Sequence, residues 1–210
     1  MDEVEAQRWL SDSLDVSRET LDRLAAFAAL LRSENERQNL VSAATLAHFW
    51  SRHVVDSAQL LRFAGEAGPW LDLGTGAGFP GLVAAALRRQ PTTLVESRRL
   101  RIEFLQRAAA ILGIAPEILH APIERVPARP FAVISARAFA PLPRLLALAH
   151  RFSTEKTLWL LPKGRSAKSE LEAIGGAWQG DFRLEPSLTD ADAQIIVATG
   201  VRRRPDRSRK

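Results

Sequence analysis

The segment Trp70-Leu-Asp-Leu-Gly-Thr-Gly-Ala-Gly-Phe-Pro-Gly81 decides the fold of this chain. It places Gly74, Gly76 and Gly78 between an apolar run and a stretch of helical period that Pro80 can open at its first turn. Glycine suits such a loop because the chain must turn with positive φ and approach a ligand closely, where a Cβ would intrude. The pattern predicts a strand, a ligand-binding loop and a helix.

Two classes of cofactor are bound by loops of this kind. The spacing Gly76-x-Gly78-x-x-Gly81 also fits the dinucleotide fingerprint, which binds a pyrophosphate at the helix N-terminus. S-adenosyl-L-methionine is favoured over NAD by the acid Asp72 before the first glycine, and by the bulky Phe79 where a pyrophosphate would lie. The alternative without a ligand is an ordinary glycine-rich turn between a strand and a helix.

Both cofactor classes need an acid after the second strand, because its carboxylate accepts the two ribose hydroxyls. Glu96 comes eighteen residues after Gly78 and directly follows an apolar run, which is the expected place. Any charged residue that ends a strand would look the same, so this assignment depends on the glycine loop. We therefore expect Asp72, Gly74, Gly76, Gly78 and Glu96 to belong to a cofactor site.

The pattern after Trp70 predicts an α/β protein with the Rossmann-like fold of S-adenosylmethionine-dependent methyltransferases. Short apolar runs alternate with helical segments, which indicates right-handed βαβ units and a mostly parallel, seven-stranded sheet. Two late strands without a long helix between them predict an antiparallel hairpin at the C-terminal edge, unlike the sheets of dinucleotide dehydrogenases. The expected strands are residues 70–73, 92–96, 117–120, 131–136, 157–161, 182–184 and 194–201.

Composition divides the chain into three segments. Residues 1–65 have helical period, with a second helical stretch at about 45–63, and predict an N-terminal helical extension packed on the core. Residues 66–201 form the expected methyltransferase domain. Residues 202–210 contain six Lys or Arg and one Asp, which alone amount to the net charge of +5. They predict a basic, disordered tail, and the remaining 201 residues are neutral.

Several classes of protein and of site are excluded by composition. The chain has no cysteine, which rules out disulfides, cysteine-based zinc sites and a thiolate nucleophile. It has no apolar run near the roughly 18 residues that a membrane span needs. The acidic N-terminus lacks a secretory signal, so we expect a cytoplasmic protein without a membrane anchor or a metal.

The absence of certain residues and motifs also limits which methyl acceptors are possible. Methylation of pyrimidine C5 commonly uses a cysteine nucleophile, which is absent here. Methylation of an exocyclic amine usually shows an Asn/Asp-Pro-Pro-aromatic motif after the fourth strand. The corresponding segment here is Ser135-Ala-Arg-Ala-Phe-Ala-Pro-Leu142.

Over nearly its whole length the chain resembles the bacterial 16S rRNA guanine-N7 methyltransferases, also called glucose-inhibited division protein B. The matching pieces are Asn-Leu-Val-Ser at 39–42, Arg-His-x-x-Asp-Ser at 52–57, the loop at 72–81, Glu96-Ser97 with Arg101 and Phe104-Leu105, Arg137-Ala138, and Leu-Pro-Lys-Gly at 161–164. Each piece alone could arise by chance, but together they occur in order and at matching spacing.

The resemblance implies transfer of a methyl group to N7 of one guanine in 16S rRNA. We expect this rRNA to be bound within the small ribosomal subunit, and naked rRNA stays open as the alternative substrate. The resemblance also implies that Gly74 and Phe79 border the methionine and ribose parts of the cofactor, and that Ile123 and Glu124 border the adenine. Arg137 would reach the cofactor or the target base. Lys163 would face the RNA or the reaction centre. The implied catalytic pair is therefore Arg137 and Lys163.

Guanine N7 is a neutral lone-pair nucleophile, so no proton must leave before it attacks. Positioning of the base and the sulfonium is then the main catalytic device. An arginine that bonds both O6 and N7, the usual way to recognise guanine, would block the attack. Arg137 or Lys163 should therefore contact O6 only.

Three further features of the sequence concern packing and the contacts with the cofactor and the RNA. His53 is expected to pack or to form a hydrogen bond, since Asp56 is the only evident carboxylate partner. Pro122 and Ala193 stand where many members of the family have basic residues, so each position lacks a possible contact with a phosphate or with the cofactor. The tail could compensate through phosphate contacts; its basic residues are Arg202, Arg203, Arg204, Arg207, Arg209 and Lys210.

Three rival functions are weaker. A nicotinamide-dependent reductase lacks support beyond the glycines, since the chain has no tyrosine to act as the usual acid. A catalytically silent RNA-binding protein should have lost the glycine loop or Glu96. A methyltransferase for another RNA, a small molecule or a protein fits the neutral body of the chain. The oligomeric state stays open.

Overall fold

The computed structural model describes residues 1–205, and within them seven strands form one mixed sheet. They are β1 (Trp70–Leu73), β2 (Thr92–Glu96), β3 (Glu117–His120), β4 (Val133–Ser135), β5 (Leu158–Lys163), β6 (Trp178–Pro186) and β7 (Gln194–Arg203). Their order is β3-β2-β1-β4-β5-β7-β6. Strands β1 to β5 pair in parallel, whereas β7 is antiparallel to both β5 and β6. The α/β fold class and the antiparallel edge hairpin are therefore confirmed.

Helices cover both faces of the sheet. They are α1 (Glu3–Leu14), α2 (Arg18–Gln38), α3 (Ala43–Leu46), α4 (Asp56–Ala58), α5 (Leu61–Ala64), α6 (Gly81–Leu87), α7 (Arg99–Leu112), α8 (Leu142–Ala149) and α9 (Ala167–Ile174). All four residues of β1 and all five of β2 are buried, as expected for parallel strands with helices on both faces.

The N-terminal helix α2 packs directly against the glycine loop and α7. It starts at the cap Ser17 and ends at Asn39, which has a φ of 49°. Its buried stripe includes Leu24, Phe27 and Leu31. The Phe27 ring lies 5.6 Å from the Phe79 ring of the loop, so the core of the N-terminal helices continues into the sheet domain.

The second predicted helical stretch, residues 45–63, is not one helix. It divides into the end of α3, a π-helical segment at Trp50–Val55, α4 and α5. A π-turn holds one extra residue, so the apolar spacing on either side still looks helical in sequence. The π-helical segment carries Arg52 and His53 to the end of the sheet where β4 stops.

Strand limits and the tail also differ from expectation. The strand expected at 131–136 is Val133–Ser135, because β1 pairs with only those three residues. The edge hairpin is longer than expected: β7 runs to Arg203, and the Arg204 N–H donates to the Ala177 carbonyl at 2.9 Å. Residues 202–204 are therefore not a disordered tail, since pairing with β6 satisfies their backbone. Arg207, Arg209 and Lys210 lie outside the described residues.

Candidate functional site

Two clefts meet at the carboxyl ends of β1 and β4, where the strand order reverses and α/β proteins bind their ligands. The first cleft has a volume of about 370 Å³ and the second about 690 Å³. Residues 138–140 line both clefts, and we call them the partition segment. Ala138 within it has a φ of 51°, a conformation that is uncommon for a residue with a Cβ.

The glycine loop has the backbone conformation that the sequence predicts. The φ angles are 63° at Gly74, 58° at Gly76 and 92° at Gly78, all in the region that favours glycine. A Cβ on Gly74 would lie 2.3 Å from Cδ2 of Phe139, so the ring of the partition segment occupies that space. Gly74 lines the first cleft, whereas Gly76 and Gly78 shape the loop behind it.

Asp72 is fully buried beneath the loop and does not line either cleft. Its carboxylate accepts hydrogen bonds from the Thr75 hydroxyl at 2.5 Å, the Gly81 N–H at 3.1 Å and the Ser135 hydroxyl at 2.6 Å. Burial raises the pKa of Asp72 to about 6, although these three donors oppose that rise. Asp72 therefore ties the loop to the start of α6 and to β4.

Glu96 lies on the floor of the first cleft and is 6% exposed. Its Oε1 accepts from the backbone N–H groups of Ser97 at 2.7 Å and Arg98 at 2.9 Å. Its Oε2 accepts from the Gly76 N–H at 3.2 Å and from Arg101 at 3.4 Å. The Oε1 bonds fix the side chain, and the longer Oε2 bonds are the ones that a competing hydroxyl can replace.

The remaining predicted cofactor contacts are divided between the cleft and the core. Ile123 and Glu124 line the first cleft, opposite the glycine loop, in a short 3₁₀ turn after β3. Ile123 is buried and Glu124 is exposed. Phe79 is only 2% exposed and lines neither cleft. Its ring instead supports Arg137, whose guanidinium carbon lies 5.1 Å from the ring centroid.

Arg137 and Lys163 both line the second cleft and not the first. The Arg137 guanidinium donates to Asp56 Oδ2 at 3.1 Å and to the Arg52 carbonyl at 3.3 Å. The Lys163 ammonium donates to Glu170 at 2.8 Å and to the Ala140 carbonyl at 3.1 Å. Lys163 therefore holds the partition segment against α9, a role that its sequence position did not suggest.

Sequence reasoning missed three side chains that line the first cleft. Phe139 lies in the segment that carries the family resemblance, but nothing local indicates that its ring covers Gly74. Arg101 belongs to the matching motif after β2, but the sequence does not show that its side chain contacts Glu96. Arg144 comes from α8, which only the tertiary structure brings to this cleft.

Between residues 1 and 205, no helix is both long and apolar enough to cross a membrane. Over the same residues, no group of three or more His, Asp or Glu side chains is arranged to hold a metal ion.

Comparisons with solved structures concern the fold. An O-methyltransferase from Bacillus cereus, solved in complex with SAH, superposes with a TM-score of 0.61 at 14% identity, covering 91% of this chain and 96% of that one. A ribosomal protein L11 methylase from Lactobacillus delbrueckii superposes with a TM-score of 0.56 at 16% identity, covering 72% and 77%. At such identities the likeness shows the methyltransferase fold and nothing finer.

Comparisons of sequence go further. The family model described as rRNA small subunit methyltransferase G matches residues 20–189. The protein named ribosomal RNA small subunit methyltransferase G from Rhizorhabdus wittichii is 54% identical over 209 residues, which cover 97% of this chain and 95% of that protein. The protein of the same name from a Jannaschia species is 43% identical over 206 residues, covering 95% and 97%. The chain therefore belongs to the rRNA small subunit methyltransferase G family.

Proposed function

We propose that this protein transfers a methyl group from S-adenosyl-L-methionine to N7 of a specific guanine in 16S rRNA, acting on the small ribosomal subunit. The observation that carries the proposal is the meeting of two clefts at the partition segment. One cleft has the acid and the glycine of a nucleoside-binding site, and the other has a held arginine. A cofactor and an acceptor base can thus approach each other where the two clefts meet beside Phe139.

The first cleft fits the cofactor. Gly74 lines this cleft and would border the methionine part, and Glu96 stands where the ribose hydroxyls would bind. The two longer hydrogen bonds on Glu96 Oε2 can yield to those hydroxyls, with Arg101 turning away. Ile123 and Glu124 would border the adenine. Asp72, Gly78 and Phe79 would act by shaping the loop and not by direct contact.

The second cleft fits the acceptor guanine. Its volume of about 690 Å³ exceeds that of the first cleft, and Arg137 and Lys163 both line it. Three N–H groups of Arg137 are occupied by protein acceptors. A guanidinium has five, so two remain for a ligand. A contact from these to O6 would orient the base and leave N7 free.

The chemistry needs little from the protein beyond this arrangement. When bound, S-adenosylmethionine supplies an electrophilic methyl group on a sulfonium. Guanine N7 forms the new C–N bond with its lone pair while the C–S bond breaks, and the sulfur keeps that electron pair. Positive charge therefore moves onto the guanine ring, and no proton is transferred. Arg137, Lys163 and the partition segment contribute by placing the base in line with the methyl group.

The assembled subunit is the proposed substrate because the body of the protein has no excess positive charge. The net charge of +5 lies in residues 202–210, so residues 1–201 have no general electrostatic attraction for RNA. Recognition of the shape of the subunit and contacts with ribosomal proteins would compensate for this missing attraction.

The test is methylation of ribosomal subunits from cells that lack this activity. Purified protein, labelled S-adenosylmethionine and small subunits or naked 16S rRNA are incubated, and the label is mapped by digestion. We expect label on N7 of one guanine, with subunits preferred and with a large loss in Arg137→Ala. Arg23→Ala is the matched control, because this exposed arginine on α2 lines neither cleft. Label on another base or atom, or equal labelling by Arg137→Ala, would contradict the proposal.

A further inference from the structure

The guanidinium of Arg137 is held by a constellation that comes from outside the methyltransferase sheet. Nη1 donates to the Asp56 carboxylate and to the Arg52 carbonyl, and Nη2 lies 3.3 Å from Nδ1 of His53. All three partners belong to the π-helical segment and the first residue of α4. π-turns occur preferentially at functional sites, which makes this segment a candidate for more than packing.

His53 must accept a hydrogen bond from Arg137, because a guanidinium can only donate. The single ring proton of neutral His53 therefore sits on Nε2. That atom is buried and has no hydrogen-bond partner among residues 1–205. His53 therefore takes the acceptor role toward Arg137.

His53 is fixed in the acceptor form. Its side chain is 3% exposed, and burial, followed by the charges of Arg137 and Arg52, lowers the pKa of His53 to about 3. The ring stacks on Phe79, with centroids 4.8 Å apart. Since Arg137 lies over the same Phe79 ring, the phenyl group forms a common platform for the imidazole and the guanidinium.

Asp56 supplies the opposite charge and links this arrangement to the C-terminal hairpin. Its Oδ1 accepts from the Thr189 hydroxyl at 3.0 Å and from the Gln59 amide at 3.1 Å, and its Oδ2 accepts from Arg137. These hydrogen bonds fix the orientation of both carboxylate oxygens, and the Asp56–Arg137 ion pair is largely shielded from solvent. The carboxylate also offsets the guanidinium charge beside a guanine ring that becomes cationic during transfer.

We propose that His53 and Asp56 are positioning residues that fix the Arg137 guanidinium at the second cleft, so that the N-terminal segment completes the active site. The inference rests on the proposed role of Arg137. Both residues also line the second cleft, and the role assigned to them is exerted through Arg137 and not by a contact with the substrate. With the Arg52 carbonyl they occupy both Nη1–H groups and one Nη2–H of Arg137, which leaves its Nε–H and its other Nη2–H for a ligand in the cleft that Arg137 lines.

Three substitutions separate the hydrogen bond from packing. His53→Phe keeps the aromatic ring on Phe79 but removes the acceptor. His53→Asn can place an amide oxygen near the position of Nδ1 but removes the ring. Asp56→Asn keeps the size and removes the charge. We expect His53→Phe and Asp56→Asn to lower kcat by about 10- to 100-fold, as small misplacements of positioning groups do. His53→Asn should retain more activity than His53→Phe, and cofactor affinity should change little in all three.

A double-mutant cycle with Arg137→Ala distinguishes positioning from general damage. If His53 and Asp56 act through Arg137, adding either substitution to Arg137→Ala should lower kcat no further, because the interaction is already lost. Ser51→Ala is the control, since this buried residue of the same π-helical segment contacts Glu3 and not Arg137. Its kcat should stay near wild type.

The outcomes separate this inference from the proposed function. Loss of kcat in Arg137→Ala, with full activity in His53→Phe and Asp56→Asn, would overturn the inference and leave the proposed function standing. Full activity in Arg137→Ala would overturn both the role of Arg137 and the inference. Additive losses in the double mutants would assign His53 and Asp56 to general stability. If His53→Phe fails to fold, the Asp56→Asn branch of the cycle decides in the same way.

Discussion

Replacing Glu96 with glutamine should weaken cofactor binding by about 10- to 100-fold. The carboxylate accepts four hydrogen bonds, and the two from Ser97 and Arg98 are the shorter ones. A glutamine therefore keeps its oxygen on that side and turns its amide group toward Gly76 and the ribose. The amide donates where an acceptor is needed. One lost hydrogen bond to a charged group costs about 1.5–3 kcal/mol, and about 1.4 kcal/mol corresponds to tenfold in Kd.

The assay is calorimetric titration with S-adenosylmethionine and with its demethylated product. Glu103→Gln is the matched control, because it makes the same chemical change on an exposed side chain of α7 that lines neither cleft. Its Kd should stay near wild type. Melting curves of both variants would confirm that they are folded. Unchanged affinity in Glu96→Gln, or an equal loss in Glu103→Gln, would refute the assignment of the ribose acceptor.

Three further predictions concern the loop, its buried acid and the tail. Gly81→Ala should destabilise the fold by about 1–3 kcal/mol or more, since its Cβ would lie 2.3 Å from Leu94 and 2.7 Å from Asp72 Oδ2. In Gly76→Ala the nearest side-chain atom lies 3.6 Å from the new Cβ, so the free energy of unfolding should fall by only about 1 kcal/mol, because of the positive φ. Equal losses in the two variants, measured by urea unfolding, would contradict this prediction. Because burial raises the pKa of Asp72 from 3.8 to about 6, the folded state binds its proton more tightly, and this group lowers the free energy of unfolding as pH rises through that window. Unfolding at several pH values should show that slope missing in Asp72→Asn; parallel curves would disprove it. Removing residues 206–210 should reduce the salt dependence of RNA binding, which filter binding at several salt concentrations measures, and an unchanged slope would exclude tail contacts with phosphates.

The glycine loop illustrates what local sequence can determine. Positive φ at Gly74, Gly76 and Gly78 follows from residue type and spacing, because few other residues tolerate that conformation. The order of buried strands and the late hairpin also follow from short apolar runs that alternate with segments of helical period, and the acid at the end of β2 follows from its place after one such run. Fold class, the identity of the cofactor and the family resemblance could therefore be predicted without coordinates.

The functional surroundings of Arg137 could not be predicted in this way. His53 and Asp56 are more than 80 residues away in sequence, and their contacts with Arg137 depend on a π-turn that leaves the helical pattern undisturbed. The sequence also assigned Asp72 and Phe79 to the cofactor, whereas neither residue lines a cleft in the structure. It predicted that the tail is disordered from residue 202 onward, whereas the first residues of that segment pair with β6.

The sequence by itself determined the fold and the class of cofactor, because backbone conformation and hydrophobic period are properties of neighbouring residues. It determined the kind of reaction through its resemblance to a known family. Only the tertiary structure decided which side chains line each cleft, that Phe139 lies between the clefts, and that Arg137 is held by the N-terminal segment. Those facts depend on hydrogen bonds and packing between distant segments, whose partners are chosen by the folded arrangement of the whole chain.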